Sequence, residues 1–467
     1  TLDKEVDAQR LFGALTDDGS RVGCVLLQSS DNIPKYGERS LAAVGASLRL
    51  EGRGDGFVIS AMDERGRCLL PHVRRKLSAI ATLDADDEAS IRGTLVPDLR
   101  TVSGKQRPFR TNHMDVIRSL AFLGEGDEVR EMPTHGLFGC FAYTFIHQYE
   151  KFERNPRDVL DEPDYLFFLA TRMFMIDHAL GRTYLVSSVP VVENIGMADM
   201  LAEAEDEVRR MNQVATEPPP RTPAAWRIGQ MESDTNPETF RRNVLRIKED
   251  IHAGRMFQAV YGRMLSAPFS GRPFDVYCRL SRVNPSPYMF YVCDESGALL
   301  AASPEMAVKT DKEGTEESAH RLAATRRGAR SEHESTNSVW RVEVRPIAGT
   351  KPRGFVDGHI DPLVDAKYET TLKIDPKELA EHTMLVDLAR NDVATVCLPG
   401  TTVVDEPFII EKYSHVQHLV SNVTGVLRND LDALHAYLAT MNMGTVTGAP
   451  KLEAMKMIND LEASSRG

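Results

Sequence analysis

The sequence predicts a fold that mixes α-helices with β-strands and is divided into two halves, on three observations. First, 467 residues, 42% of them hydrophobic, suffice for two or three domain-sized units around a large buried core. Second, apolar runs and period-two alternation are interspersed with segments of helical spacing, so both kinds of element are present. Third, Pro218, Pro219, Pro220 and Pro223 interrupt any period between Val214 and Met231, which reads as a linker. The division is an N-terminal region at 1–213, a linker at 214–233 and a second domain at 234–467.

In the first half, Val22 to Asp31 is an apolar run entering a polar loop, as a buried strand would be. Leu50 to Leu70 alternates loosely around Gly52, Gly54 and Gly56, which predicts short antiparallel strands. Asn112 to Leu123 and Met197 to Gln213 predict helices; Gly136 to Tyr143, Asp164 to Asp177 and Thr183 to Val192 predict strands, the last two rich in aromatic and β-branched residues. In the second half, Asn236 and Pro237 cap a helix that Gly254 ends. Met256 to Leu265 reads as a strand carrying the polar Gln258. Lys312 to Ser338 alternates basic with acidic residues and reads as a solvated, mobile excursion.

The stretch from Ile374 to Asp392 places acids where a helix usually places apolar residues. Asp375 suits the N-cap, Pro376 the first helical position, and Glu378 completes a variant capping box. At helical spacing Glu378, Glu381, Leu385, Leu388 and Ala389 share one face. Acids on such a face need a metal ion, a cation or a substrate, unless they only cap the helix and pair at the surface.

Three further segments carry chemistry. Pro346 to Gly354 brings Gly349, whose backbone a ligand can approach closely, beside the Thr350 hydroxyl; an empty tight turn would look the same. Tyr413 to Gly425 alternates as a strand and sets His418 on the face of Val416 and Val420, as either a catalyst or a satisfied core residue. Met441 to Lys451 is a glycine-containing loop opening a helix at Pro450, a place where an anion is at home.

Totals exclude several classes. A net charge of -12 argues against nucleic-acid binding, which needs clustered lysine and arginine. Cys24, Cys68, Cys140, Cys278, Cys293 and Cys397 show no metal-ligand spacing, which suits free thiols in a reducing cytoplasm. No apolar run reaches membrane-spanning length and no signal segment opens the chain, so a cytoplasmic protein is expected. The first residue is Thr1, which suggests a start inside the reading frame.

Taken together, Phe240 to Gln258, Asn284 to Phe290, Ser303-Pro304-Glu305, Pro346 to Gly354, Lys377 to Asp392, Tyr413 to Gly425 and Met441 to Lys451 resemble the chorismate-utilising enzymes, and within them the large subunit of anthranilate synthase. The resemblance implies an α+β, two-lobed chorismate-binding fold like that of aminodeoxychorismate synthase, with packed antiparallel sheets and helices outside. It implies a lyase of tryptophan biosynthesis that binds chorismate and uses Mg2+. Ammonia would come from a separate glutamine amidotransferase subunit, making a hetero-oligomer.

Residue by residue, the resemblance implies Glu381 as a Mg2+ ligand, Glu378 as the acid-base carboxylate and His418 as the histidine of pyruvate loss. Thr445 matches a substrate-contacting hydroxyl of the catalytic set, and Gly349 and Thr350 match substrate-binding positions. Relatives that add water carry a lysine base where this chain has Gln258, and aminodeoxychorismate synthases carry a lysine nucleophile where it has Ala348. An added amine is therefore expected. Ser29, Pro287, Tyr288 and Met289 match an L-tryptophan feedback pocket, with Gln28 replacing the family's glutamate, which predicts weaker inhibition.

Family members continue past the equivalent of Gly467 with a Tyr-Gly-Gly motif, an arginine, a glycine-rich turn and further metal-binding glutamates. None is in this sequence, so the expectation is a catalytic domain with its C-terminal part absent, inactive or poorly folded as it stands. The rival readings are a 2-amino-2-deoxyisochorismate synthase, which stops before pyruvate loss, and a truncated, non-catalytic protein that binds effector or partner.

Overall fold

The computed structural model describes residues 1–29, 37–85, 87–98, 110–123, 133–191, 197–313 and 339–467. Its largest sheet gathers β1 (Val25–Gln28), β2 (Arg39–Arg53), β3 (Gly56–Ala61), β4 (Thr82–Leu83), β5 (Ser90–Thr94), β6 (Gly136–Phe141), β7 (Tyr165–Asp177), β8 (Arg182–Ser187), β9 (Tyr288–Asp294) and β10 (Gly297–Ser303). The order is β10-β9-β1-β2-β3-β5-β4, with β7 also on β2, and β6 and β8 on β7. Every pairing is antiparallel.

Both faces of this sheet are covered. On one, Leu70 and Val73 of α2 (Glu64–Leu77) and Ile117 and Leu120 of α3 (Met114–Ala121) pack with Leu48, Leu50, Ile59 and Tyr165. Further along the same face, Phe12 of α1 (Ala8–Leu15), Met211 of α4 (Met197–Thr216) and Phe274 and Tyr277 of α6 (Pro273–Val283) pack with Leu26, Phe174 and Tyr291, while the opposite face carries the buried Val25, Ala43, Phe168, Ala170 and Met173. A strand buried on both faces shows no alternation, which explains the near-continuous burial of β2 and β7.

The second sheet holds β11 (Lys309–Glu313), β12 (Val339–Val344), β13 (Ile347–Pro352), β14 (Val403–Lys412) and β15 (Val416–Val426). β15 is central, pairing antiparallel with β12 and β13 on one edge and β14 on the other. Around it lie α5 (Pro237–His252), α7 (Pro362–Ile374), α8 (Pro376–Val396), α9 (Ala433–Thr440), α10 (Gly444–Thr447) and α11 (Lys451–Leu461). Val386, Ala389 and Val393 of α8 pack on Val342, Val344 and Val423. Antiparallel sheets with helices against them make the chain α+β, as expected.

The cap of α5 forms as expected: Asn236 accepts from the Thr239 amide, and Gly254 lies beyond the helix at φ +77°. Elsewhere the structure corrects the sequence reading. Leu50 to Leu70 is antiparallel strand only in its first part: β2 ends at Arg53, a tight turn leads into β3, which pairs antiparallel with it, and from Glu64 the stretch is the helix α2 on an Asp63 cap. Met256 to Leu265 forms strand only at Gln258–Ala259 and from Leu265, because the intervening residues find no continuous partner among the described ones. Thr183 to Val192 stops as strand at Ser187, and the strand placed at Tyr413 starts at Val416. The proposed excursion at 312–338 lies, from 314 onward, outside the described residues. The sheets also cut across the expected division at 214–233, since β9 and β10 of the second half complete the first sheet.

All six cysteines are free. No described helix is long and apolar enough to cross a membrane.

Candidate active site

Four residues of β13, Ile347 to Thr350, are the common neighbours of most of the chemically promising side chains. The ladder with β15 slips between Ala348 and Thr350, so Gly349 bulges out with φ +83°, a left-handed conformation that favours glycine. A Cβ there would stand 3.2 Å from Glu378 Oε2 and 3.1 Å from Leu372. The bulge returns Thr350 to register opposite His418, whose Nδ1 lies 2.9 Å from the Thr350 hydroxyl. Burial holds the His418 imidazole below its ordinary value, against the backbone of Gly349 and the Glu411 carboxylate, which pull it up.

Glu378 and Glu381 sit on the first turns of α8. Asp375 caps the helix by accepting from the amides of Lys377 and Glu378, with Pro376 following. The cap is made by the Asp375 side chain and does not use the Glu378 carboxylate, which lies 4.0 Å from Lys377 Nζ. Glu381 Oε1 accepts from Gln258 Nε2 at 2.9 Å. Gln258 is held by pairing with Ala449, and its Oε1 is buried without a hydrogen-bond partner among the described residues. A cleft of about 1100 Å³ opens beside this pair, with Phe257, Lys377, Arg390 and Phe408 in its wall; Gly349, Thr350 and His418 do not line it.

Sequence reasoning gave Glu305 no role, and here it is prominent. Burial pushes its carboxyl up to about 7, while the Thr445 hydroxyl and the backbone of Ile347 favour its charged form. Even so, neither Glu305 Oε1 nor Thr445 Oγ1 has a well-formed hydrogen bond among the described residues, although both are buried. An unsatisfied acid and hydroxyl side by side are poised for a ligand. The signal available was an acid directly after an apolar strand, in Ser303-Pro304-Glu305.

The expected effector residues lie apart, on the first sheet. Met289 stands opposite Gln28, and Gln28 Oε1 accepts from Gln9 Nε2 at 3.1 Å and from the Tyr277 hydroxyl at 3.2 Å. Met289 and Pro287 are buried and Tyr288 is half-buried, its phenol pushed up to about 12 by burial. The Ser29 hydroxyl is buried without a partner among the described residues.

Two carboxylates one turn apart supply part of an oxygen donor set for a hard divalent cation. Among the described residues, no group of three or more His, Cys, Asp or Glu comes together that could hold one. These residues alone do not complete a metal site.

A buried acid oxygen at Glu305, a half-buried histidine and Glu378 come together around one bulged strand, with Glu381 one turn further along α8, and comparison with known proteins says what kind of site this is. A family model described as chorismate binding enzyme matches residues 79–339 and 336–467, and the chain belongs to that family. It is 34% identical over 470 residues to anthranilate synthase component 1 of Salmonella typhimurium, covering 96% of this chain and 80% of the relative. It is 35% identical to the pyocyanine-specific anthranilate synthase component 1 of Pseudomonas aeruginosa, covering 95% and 78%. The crystal structure of anthranilate synthase component I from Streptococcus pneumoniae shares the fold, with a TM-score of 0.64 at 24% identity over 93% of this chain and 79% of the other. The chain is thus a chorismate-family enzyme of the lyase type, similar to anthranilate synthase component I.

Proposed function

We propose, against the expectation of an inactive chain, that the packed chain catalyses the reaction of anthranilate synthase component I, turning chorismate and ammonia into anthranilate, pyruvate and water. The observation that carries this reading is Gln258: a neutral amide bonded to Glu381 stands where water-adding relatives hold a lysine base. With Ala348 at the other lysine position, no side chain at either place activates water or attacks the ring, so ammonia is the nucleophile.

In this reading the Gly349 backbone and the Thr350 and Thr445 hydroxyls hold the substrate's polar groups. Glu305 takes the acid role expected of Glu378, because a carboxyl near 7 is still protonated in part at neutral pH. It gives its proton to the departing C4 hydroxyl as ammonia adds at C2. His418, kept neutral by burial, then accepts the C2 proton while the enolpyruvyl C–O bond breaks and the ring becomes aromatic. Glu381, with Glu378 one turn before it, would contribute ligands to a Mg2+ ion, which when bound supplies positive charge for a substrate carboxylate.

The reading includes a cytoplasmic hetero-oligomer with a glutamine amidotransferase subunit that delivers ammonia, and weak inhibition by L-tryptophan at Gln28, Ser29 and Pro287 to Met289. The test is incubation of the protein with chorismate, ammonium and Mg2+, read by anthranilate fluorescence and chromatography. Anthranilate with equimolar pyruvate is expected; isochorismate, or an amino intermediate as end product, would overturn the reading.

A further inference from the structure

Behind His418 runs a line of buried contacts that the proposed chemistry does not use. Arg345 lies between β12 and β13 with its side chain 3% exposed. Its guanidinium donates to Glu406 at 2.6 Å and to Glu411 Oε1. The other Glu411 oxygen accepts from the Tyr413 hydroxyl at 2.8 Å. The Tyr413 ring meets the His418 imidazole at a steep angle, 65°, with centroids 5.2 Å apart. Thr350 bonds the same imidazole through Nδ1. Glu411 also stands directly opposite His418 in the β14–β15 register, so the two side chains share a face of the sheet.

Burying this ion pair carries a desolvation cost that apolar residues of similar size would avoid, so it is weak evidence for stability alone. Its placement suits another use. The Glu411 charge faces the ring that must become an imidazolium when it accepts a proton, and fixed charge of that kind favours the developing cation. The Tyr413 ring, held by its bond to Glu411, limits the tilt of the imidazole, as second-shell partners do for other functional histidines.

We propose that Glu411 and Tyr413, anchored by Arg345, are positioning residues for His418 that set its orientation for the proton transfer releasing pyruvate. This rests on the reading of His418 as the group that accepts the C2 proton.

The experiment measures chorismate consumption and pyruvate release separately, with ammonium as nitrogen donor, beside thermal unfolding midpoints. Tyr413→Phe and Glu411→Gln keep shape and packing. Each is expected to slow pyruvate release about tenfold or more, to leave consumption and the KM for chorismate within about twofold, and to accumulate the amino intermediate. Glu411→Asp is expected to recover part of the loss. Parent-like pyruvate release in both variants, or equal losses of consumption and release with a lowered midpoint, would make the cluster structural and overturn the proposal. A parent protein that forms no pyruvate, or a His418→Gln variant that forms it at the parent rate, would sink the reading of His418 first and the proposal with it.

Discussion

A carboxyl that burial pushes up to about 7, as at Glu305, is a mixture of acid and carboxylate at neutral pH, and that mixture can be measured. The acid form is the working one in the proposed reaction, so turnover should fall as pH rises through about 7. The sign for stability agrees. Between the ordinary 4.5 and about 7 the folded chain holds a proton that the unfolded chain has lost, so this group's contribution declines across that window as pH rises. Glu305→Gln should lower kcat by roughly two orders of magnitude and flatten both profiles; an unchanged alkaline limb would count against the assignment. Little of this was legible beforehand, because the value at Glu305 is set by burial against opposing bonds from Ile347 and Thr445, which arrive from other elements far along the chain. Gln28 was more open to inspection. Its Oε1 is already engaged by Gln9 and Tyr277, and a neutral amide lacks the charge-assisted bond that a carboxylate offers an amino group. Gln28→Glu should shift tryptophan inhibition about fivefold or more toward lower concentration, and an inhibition curve that stays in place would refute it.

Among the elements, legibility followed how local the cause was. α8 and α5 could be read from the sequence because their starts are written within three residues, Asp375-Pro376 and Asn236-Pro237 ahead of capped amides. α2 could not, since Gly52, Gly54 and Gly56 point to strands and the Asp63 cap, bonded to the Gly66 amide, lies within the same stretch. The bulge in β13 is an intermediate case: Gly349 suggested close approach, but the approaching group, Glu378, was known only from packing. Two glycines separate the backbone effect from this crowding. Gly349 and Gly358 have nearly the same φ, +83° and +81°, yet a Cβ at Gly358 meets nothing within 4 Å. Alanine at either position should cost about 1–2 kcal/mol in urea unfolding from the left-handed backbone. Only Gly349→Ala should also displace Glu378 and lower kcat/KM for chorismate; equal activity of the two variants would show that this contact does not matter for the site.

At the scale of the whole molecule, the linker reading met its main difficulty, for a physical reason. Proline-rich composition between Val214 and Met231 reports local stiffness, whereas strand pairing reports contacts that no local pattern encodes. β1 has four residues and pairs β2 on one edge and β9 on the other, so the first sheet is completed by a strand from beyond the linker. The core beneath it is likewise shared: Phe12, Leu26 and Phe174 pack with Phe274, Tyr277, Met289 and Tyr291. Phe12, Phe274 and Tyr291 are also in ring contact, at centroid distances of 5.1 to 6.0 Å. A fragment ending at residue 213 would leave the β1 edge unpaired and those aromatic partners missing, and an open edge over an exposed apolar face favours association over folding. Residues 1–213 alone should therefore show a broad, shallow urea transition and rapid amide exchange in β1, whereas residues 1–303, which include α6, β9 and β10, should restore protection there. A sharp transition with slow exchange in β1 of the shorter fragment would mean that the first half folds independently and that the shared core contributes little to it.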